Sequence, residues 1–373
     1  MDIREEIIRK GLNKWASNSY AGILQYGTGS GKTFAGILAS EHFINKYPDE
    51  RILIVCPTYA VIENFQAEFK KFKKLKLLKY CDFICYHSIA DIVSTYSLVV
   101  LDEIHNVTSE NRMTFFDTRK YRAILGLSAS ITEKQEQLLN PYLTIVDSLV
   151  VSEARDLDLV SEFTIFTINV DLTDEEKDLY DKATSIIDYT YIAFGRQSWK
   201  QINTRKKLIY RSSNKLKLIG KLSDLFKGEY GIIFSLTKVE ADEVSDLLGE
   251  SCVSIHSNMS IKKRQILLNK FKDGRTKVKL ISTAKIFDEG VTLPRLAYGV
   301  IGSGSSKEKQ SIQRLGRLIR KDTNKHAILI RIVVKNTVEE KWVKESFANF
   351  NVINVNSYEE LREKINQIKS TIS

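Results

Sequence analysis

The sequence lacks the features that mark membrane-spanning, secreted and zinc-binding proteins. No apolar run in its 373 residues approaches the roughly 18 residues of a membrane span, and the start MDIREEIIRK does not have the profile of a signal peptide. The four cysteines form no CxxC motif and no Cys/His pair at zinc spacing, so we expect them to be reduced core residues. A soluble, intracellular protein without a membrane partner is therefore expected.

Positive charge is in excess, and its distribution along the chain is uneven. The net charge is +10, and residues 1–150 contain 18 Lys and Arg against 17 Asp and Glu, which leaves 38 against 29 for residues 151–373. Between Arg196 and Lys227 ten cations face only Asp224. A window with this charge predicts a polyanionic partner.

The most informative stretch is QYGTGSGKT, residues 25–33. It follows an apolar run and precedes FAGILASEHF, whose apolar residues recur at helical spacing, so we predict a strand, a loop and a helix. Glycines let consecutive backbone N–H groups turn toward a phosphate chain, and the helix N-terminus adds partial positive charge. Tyr26 replaces the first glycine of the pattern GxxxxGK[ST], and a chance glycine-rich turn is the alternative. We expect phosphates to be bound by Gly27, Thr28, Gly29, Ser30, Gly31 and Lys32, and Mg²⁺ by Thr33.

An acidic pair, Asp102 and Glu103, follows the apolar strand predicted at residues 97–101. In a parallel sheet such a pair lies at the same edge as a phosphate loop. We predict that Asp102 holds Mg²⁺ through its waters and that Glu103 orients and deprotonates the water that attacks the γ-phosphate. The alternative is a surface acidic pair without a function. The hydroxyls of Ser128 and Ser130, after the next strand, are candidates for connecting the metal site to a moving element.

Together with CPT at residues 56–58, these motifs stand on successive strand ends in a fixed order. In this order they resemble motifs I, Ia, II and III of the first motor domain of superfamily 2 helicases and translocases, the DExH-type ATPases. The sequence departs from the family at Ser130, where threonine is usual. It also has no glutamine ahead of Trp15, where the family recognises adenine, so selectivity for ATP stays open.

A second succession of strands and helices starts at Tyr230 and predicts another parallel sheet, without a phosphate loop. It resembles the second motor domain of the same family, with motif IV at residues 233–237, motif V at 283–294 and motif VI at 313–320. Motif V departs at Thr292, where aspartate is common, and contains one extra residue. Arg317 and Arg320 are three residues apart, which places them on one face of a predicted helix.

The resemblance implies ATP and Mg²⁺ as cofactors and nucleic acid as the partner. The catalytic residues that it implies are Asp102, Glu103, Gln313, Arg317 and Arg320, and further nucleotide contacts are implied at Asp288 and Gly290. The nucleic-acid contacts that it implies are Thr58, Ser88, Ser235, His256 and Thr283.

The basic window, residues 196–227, also contains Trp199, Tyr210 and Phe226. Cations interleaved with aromatic residues suit nucleic-acid backbones and bases, so we expect DNA contact here, with Arg205, Lys206 and Lys207 as its centre. A basic helix packed on its own domain is the alternative.

These observations predict an α/β protein with two tandem RecA-like parallel-sheet domains and a helical insertion between them or on the second. The predicted ranges are 1–150 for motor domain 1, 151–228 for the linker and basic insertion, 229–340 for motor domain 2, and 341–373 for a helical tail. The predicted function is ATP-driven unwinding or branch migration of DNA by a monomer, similar to phage and repair helicases. DNA, single-stranded or branched, is favoured over RNA. A duplex DNA translocase, an RNA helicase and a nucleotide-controlled binding switch are the alternatives, and polarity stays open.

Overall fold

Two parallel β-sheets contain the apolar strands of this chain. The computed structural model describes residues 3–284, 293, 296–304, 316, 318, 326–348 and 350–372. The residues up to Val160 form one compact unit, and those from Ser161 onward form another. The parallel sheets confirm the predicted α/β class. None of the described helices is long and apolar enough to cross a bilayer.

The first unit is built on a six-stranded sheet with the strand order β3-β2-β4-β5-β1-β6. Runs such as ILIVC in β2 are buried along their whole length, as expected for a parallel sheet covered by helices. The strands are β1 (Ala21–Tyr26), β2 (Ile52–Cys56), β3 (Cys81–Cys85), β4 (Tyr96–Asp102), β5 (Tyr121–Ser128) and β6 (Ile145–Leu149). The helices are α1 (Ile3–Ser17), α2 (Lys32–Lys46), α3 (Tyr59–Lys71), α4 (Glu110–Thr118), α5 (Glu133–Leu139) and α6 (Val151–Asp156).

The register of three central strands brings the predicted motifs to one edge of this sheet. Gln25 of β1 pairs with Ser128 of β5, and Leu127 of β5 pairs with Asp102 of β4. Because the three strands are parallel, their carboxyl ends emerge side by side. Gly126 of β5 keeps this edge tightly packed, since an added Cβ would lie 2.7 Å from the Ile104 side chain.

The second unit is built on a seven-stranded parallel sheet with the strand order β13-β7-β12-β11-β8-β10-β9. The strands are β7 (Glu162–Val170), β8 (Gly231–Ser235), β9 (Cys252–His256), β10 (Leu280–Ala284), β11 (Tyr298–Ile301), β12 (His326–Val334) and β13 (Val352–Val355). The helices are α7 (Asp174–Phe194), α8 (Trp199–Tyr210), α9 (Ser213–Leu225), α10 (Lys238–Leu248), α11 (Ile261–Lys272), α12 (Val338–Ser346) and α13 (Tyr358–Ile372).

Two strands of this sheet come from segments for which the sequence predicts other structure. β7 lies in the predicted linker, yet it pairs with β12 along nine residues, from Glu162 with His326 to Val170 with Val334. β13, in the predicted helical tail, pairs with the other side of β7. Because β7 is an interior strand, the second unit starts at Ser161, inside the predicted linker, whereas the predicted start of motor domain 2 is residue 229.

The three helices of the predicted insertion have different environments. Leu218, Ile219 and Leu222 of α9 are buried in the core of the second unit, and the Phe226 ring stacks on Tyr298 with a centroid distance of 4.0 Å. α9 therefore covers the sheet as an ordinary helix of the domain. α7 and α8 pack against each other instead and form a helical hairpin. The insertion is this α7–α8 hairpin alone.

Candidate active site

The loop after β1 has the backbone that its glycines predict. Gly29 and Gly31 have φ values of +88° and +109°, in the left-handed region that favours glycine. Gly31 directly precedes α2, and an added Cβ there would lie 2.8 Å from the Ile8 side chain. The Ser30 hydroxyl donates to the carbonyl of Gly27 at 2.6 Å, which closes the loop on itself. The N–H groups at the start of α2 provide a site for an anion.

Lys32 and Glu103 lie next to each other at the carboxyl edge of the sheet. The Lys32 ammonium donates to the carbonyl of Tyr26 at 3.1 Å and lies 3.9 Å from Glu103 Oε1. Glu103 has a left-handed backbone with φ +53°, an uncommon conformation for a non-glycine residue. Its carbonyl is held by the backbone N–H and the side-chain amide of Asn106, both at 3.0 Å. The acidic pair and the loop lysine are thus parts of one site.

His105 connects this site to the end of β5. Its Nδ1 lies 3.0 Å from Ser128 Oγ, and the Ser128 hydroxyl itself donates to the carbonyl of Ser130 at 2.8 Å. Because that hydroxyl hydrogen is already used, Ser128 accepts a hydrogen bond from His105 Nδ1–H. The other ring nitrogen, Nε2, accepts from the Asn106 amide at 3.2 Å. This network places a proton on Nδ1 of His105, and Nδ1 lies 3.4 Å from Glu103 Oε2.

Tyr26, the departure from the glycine pattern, is buried, and its hydroxyl belongs to a polar cluster that extends to the surface. Its hydroxyl donates to Asp147 Oδ2 at 2.6 Å, and the Lys14 ammonium lies 2.5 Å from Asp147 Oδ1. Burial and the Asp147 carboxylate raise the pKa of the Tyr26 hydroxyl. Gly11 of α1 makes room for this ring, since an added Cβ would lie only 1.8 Å from the Tyr26 oxygen. The tyrosine side chain thus links α1, β1 and β6.

Arg4 of α1 also lies against the phosphate loop. Its guanidinium donates to the carbonyl of Leu159 at 2.6 Å. Its Cδ lies 3.3 Å from the position of an added Cβ on Gly31. Neither Arg4 nor the pairing of Tyr26 with Asp147 is predicted from the sequence, because no local pattern marks contacts between residues more than a hundred positions apart.

The predicted nucleic-acid residues of the first unit lie close to the same edge. Thr58 follows β2 and caps α3, with its hydroxyl accepting from the N–H of Val61 at 3.4 Å. Ser88 follows β3, and β2 and β3 are neighbours that end together at Cys56 and Cys85.

The second unit brings Ser235, His256 and Thr283 together. Ala284 pairs with Ser235 on one side and with His256 on the other, so the ends of β8, β10 and β9 are level. All three predicted residues are buried. Thr283 donates to the carbonyl of Ile255 at 2.9 Å, and His256 Nε2 lies 3.2 Å from Asp242 Oδ1.

Five predicted site residues lie outside the described residues. They are Asp288, Gly290, Gln313, Arg317 and Arg320.

Two family models match this chain. One, described as "Type III restriction enzyme, res subunit", matches residues 2–133, and the other, "Helicase conserved C-terminal domain", matches residues 214–322. The chain is 26% identical over 362 residues to the DNA 3'-5' translocase XPB2 of Sulfurisphaera tokodaii, with 85% of this chain and 79% of that protein covered. The chain belongs to the superfamily 2 helicases.

Solved helicase structures show the same fold as this superfamily 2 helicase. Dbp5 of S. cerevisiae, bound to RNA and ADP BeF3, matches with a TM-score of 0.66 and 15% identity over 97% of this chain and 93% of that chain. The helicase domain of Hef from Pyrococcus furiosus matches with a TM-score of 0.57 and 15% identity over 92% and 97%. The predicted pair of RecA-like domains is confirmed, and membership of the family implies the use of ATP.

The helicase has fewer available cations in its basic window than the sequence indicates. Lys215 is buried, with its ammonium 2.8 Å from the Glu339 carboxylate, and it also donates to the carbonyl of Gly302 at 2.7 Å. Burial lowers the pKa of this lysine. Arg211 is paired with Glu243, with Nε donating to Oε2 at 2.8 Å. The window is therefore partly neutralised within the protein.

Arg205, the first of the three predicted central residues, has its guanidinium 5.8 Å from the Tyr180 ring centroid. This contact ties α8 to α7, so Arg205 supports the hairpin as well as adding charge. Lys207 is exposed and Lys206 is half-buried.

We expect Glu103→Gln to bind ATP and to lower kcat by about 10²- to 10⁴-fold, because it removes a general base while retaining shape. Lys32→Ala is expected to lose both nucleotide affinity and hydrolysis, since it removes the phosphate-binding charge. Binding of a fluorescent ATP analogue and single-turnover hydrolysis measure the two effects. Glu110→Gln, the same change at an exposed site, is the control. Turnover by Glu103→Gln at the rate of that control would remove Glu103 from the chemistry.

The close approach of Gly11 to the Tyr26 hydroxyl predicts that substitutions at these two positions partly compensate each other in stability. Gly11→Ala should destabilise the protein by about 1–3 kcal/mol, because the new methyl group meets the Tyr26 oxygen. Tyr26→Phe should also destabilise it, since the hydrogen bond to a carboxylate is removed. The double variant should be more stable than the sum of the single effects by about 1 kcal/mol, measured by urea unfolding. Additive effects would mean that the two residues do not constrain each other.

Proposed function

We propose that this helicase is an ATP-driven motor that moves along DNA in the 3'-5' direction and separates its strands. The observation that carries the proposal is the similarity to a DNA 3'-5' translocase along 362 residues. The phosphate loop and the acidic pair both lie within residues 2–133, which match a family model. The geometry of the first unit supports it, because Lys32 and Glu103 lie 3.9 Å apart beside the loop glycines.

In this proposal the first unit holds and hydrolyses ATP. The loop N–H groups and Lys32 bind the β- and γ-phosphates, and Glu103 takes a proton from the attacking water. His105 and Ser128 then transmit the state of this site to the end of β5. The hydrogen bond between His105 and Ser128 is buried, and Ser128 is hydrogen-bonded in turn to the carbonyl of Ser130. A movement of the Glu103 carboxylate that displaces His105 would therefore also displace Ser130.

The donor set of the first unit fits Mg²⁺. Glu103 Oε2 is buried and accepts no hydrogen bond within the described residues, and the carboxylate of Asp102 and the hydroxyl of Thr33 are the oxygen donors that we propose for the ion. The described part of the chain has no group of three acidic, His or Cys side chains for a metal. Mg²⁺ commonly relies on substrate phosphates in addition to one or two carboxylates. When bound, the ion would neutralise charge on the phosphates.

For the second unit we propose roles that rest on the resemblance of its motifs. Gln313, Arg317 and Arg320 act on the phosphates of ATP, and Asp288 and Gly290 contact the nucleotide. Ser235, His256 and Thr283, with Thr58 and Ser88 of the first unit, contact the nucleic-acid backbone. Ser235 Oγ and His256 Nδ1 support this, because both are buried and lack a hydrogen-bond partner within the described residues.

Displacement of a labelled strand tests the function. With ATP, a partial DNA duplex with a 3' tail should be separated faster than one with a 5' tail, and a matched RNA duplex should be separated more slowly. A second candidate, movement along duplex DNA without strand separation, is favoured by the word translocase in the name of the relative. Release of a third strand from a triplex, with the duplex left intact, would establish that candidate. No displacement from any substrate would contradict both and favour a nucleotide-controlled binding switch.

The α8 surface should contribute to DNA affinity through charge. Because Arg205 packs on Tyr180, the test uses Lys200, Lys206 and Lys207. Replacing these three lysines by alanine should weaken DNA binding and flatten its salt dependence by roughly one unit of slope for each phosphate that is no longer neutralised. The control removes the same charge from α12 and α13, at the exposed residues Lys341, Lys344 and Arg362. Equal salt slopes for the two triple variants would show that α8 does not bind phosphates.

A further inference from the structure

The α7–α8 hairpin exposes a group of aromatic rings at its end. Tyr189, Tyr191, Phe194 and Trp199, which we call the aromatic tip, are 65%, 64%, 57% and 65% exposed. Burying a large apolar side chain stabilises a protein by about 1.5–3 kcal/mol, so four exposed rings within eleven residues forgo considerable stabilisation. Large aromatic side chains that are exposed close together in the chain indicate an interaction site.

The base of the hairpin is anchored, while its tip projects. Tyr180 of α7 and Ile209 of α8 are buried with Val334, and the Tyr180 hydroxyl accepts from the N–H of Val338 at 2.9 Å. Ala183 is the last buried residue of α7. From Ala183 to Phe194 the helix rises roughly 16 Å at 1.5 Å per residue. The aromatic tip thus lies at the far end of α7, away from the buried base of the hairpin.

Two rings of the tip contact each other, and one of them also contacts a cation. Tyr189 and Phe194 meet edge to face, with centroids 6.2 Å apart and planes at 85°. The Arg196 guanidinium lies 5.5 Å from the Phe194 centroid. Gly195, with φ +62°, ends α7 between them. These contacts restrict Tyr189 and Phe194 before any partner binds, which lowers the entropic cost of binding for those two rings.

The positive charge beside the tip lies on α8 and on the turn before it, whereas α7 has the exposed Asp188 next to Tyr189. From Gly195 through Asn214 the chain has no acidic residue, and it contains Arg196, Lys200, Arg205, Lys206, Lys207 and Arg211. Of these, Lys200, Lys206 and Lys207 form no ion pair within the described part of the chain. A surface that combines flat apolar rings with positive charge complements single-stranded nucleic acid, whose bases have exposed faces and whose backbone is anionic.

We propose that the aromatic tip binds unpaired bases of single-stranded DNA by stacking, while the lysines of α8 follow the backbone. This inference rests on the proposed function and adds to it a surface that holds the separated strand. It differs from the charge contribution of α8, because stacking requires a free base face and gives no advantage on blunt duplex DNA. Base stacking on an aromatic side chain contributes about 1–3 kcal/mol per base.

Trp199 supplies a direct reporter. Of the three tryptophans, Trp15 is 2% exposed and Trp342 is half-buried. A quencher in solution therefore acts mainly on the fluorescence of Trp199. Oligodeoxythymidylate should quench the fluorescence of the full chain. Trp199→Phe should abolish this quenching and retain affinity within about threefold, because phenylalanine still stacks.

Removal of the rings is the second arm of the test. Tyr191→Ser, Phe194→Ser and Trp199→Ser together should weaken oligodeoxythymidylate binding at least about tenfold and blunt-duplex binding less than about threefold. The control replaces three similarly exposed apolar residues of α10 and α11 by serine, namely Val239, Leu247 and Ile266, and should change neither affinity. Circular dichroism and the thermal midpoint check that both triple variants are folded.

Several results would overturn the inference. Unquenched Trp199 with unchanged single-strand affinity in the tip variant would remove the bases as the partner. Loss of self-association in the tip variant, with unchanged DNA affinity, would assign the tip to a second copy of the chain. Quenching by oligouridylate alone would exclude DNA. If no nucleic acid binds to the wild-type chain, the proposed function is wrong. If DNA binds but the tip variants behave like the wild type, only the stacking proposal is wrong.

Discussion

The parallel pairing of β1, β5 and β4 is the constraint on which the candidate active site depends. It sets Gln25 level with Ser128, and Leu127 level with Asp102, so three separate segments end at one edge. Gly126 allows the close packing that keeps Ile104, and hence the acidic pair, against β5. A slip of one residue in this register would move each side chain to the opposite face of the sheet and displace Glu103 relative to Lys32. The geometry of the candidate active site therefore depends on the sheet.

Much of this site could be predicted from the sequence, because its motifs are local. The phosphate loop has a left-handed backbone at Gly29 and Gly31, which favours glycine at both positions. The acidic pair follows an unbroken apolar strand. The role of Tyr26 could not be predicted, since its hydroxyl pairs with Asp147, 121 positions away. The sequence pattern places β7 in a linker and β13 in a tail, because their pairing is with strands far away in the chain.

Net charge is the less reliable guide in the second unit. Lys215 and Arg211 belong to the most basic stretch of the sequence, yet both are paired with glutamates from other helices. A count of charges along the sequence does not include partners from distant segments. The burial of Lys215 therefore could not be predicted from the basic residues that surround it in the sequence. The α7–α8 hairpin keeps exposed lysines together with exposed aromatic rings. Its partner is therefore better inferred from exposure than from composition.

We propose a motor in which ATP hydrolysis at the Lys32 and Glu103 site is coupled to DNA binding. The most direct measurement is the steady-state rate of ATP hydrolysis, with no nucleic acid and with saturating single-stranded DNA. We predict a low basal rate that rises severalfold with DNA and saturates. The same rate with and without DNA, in a protein that binds both ATP and DNA, would contradict the central claim.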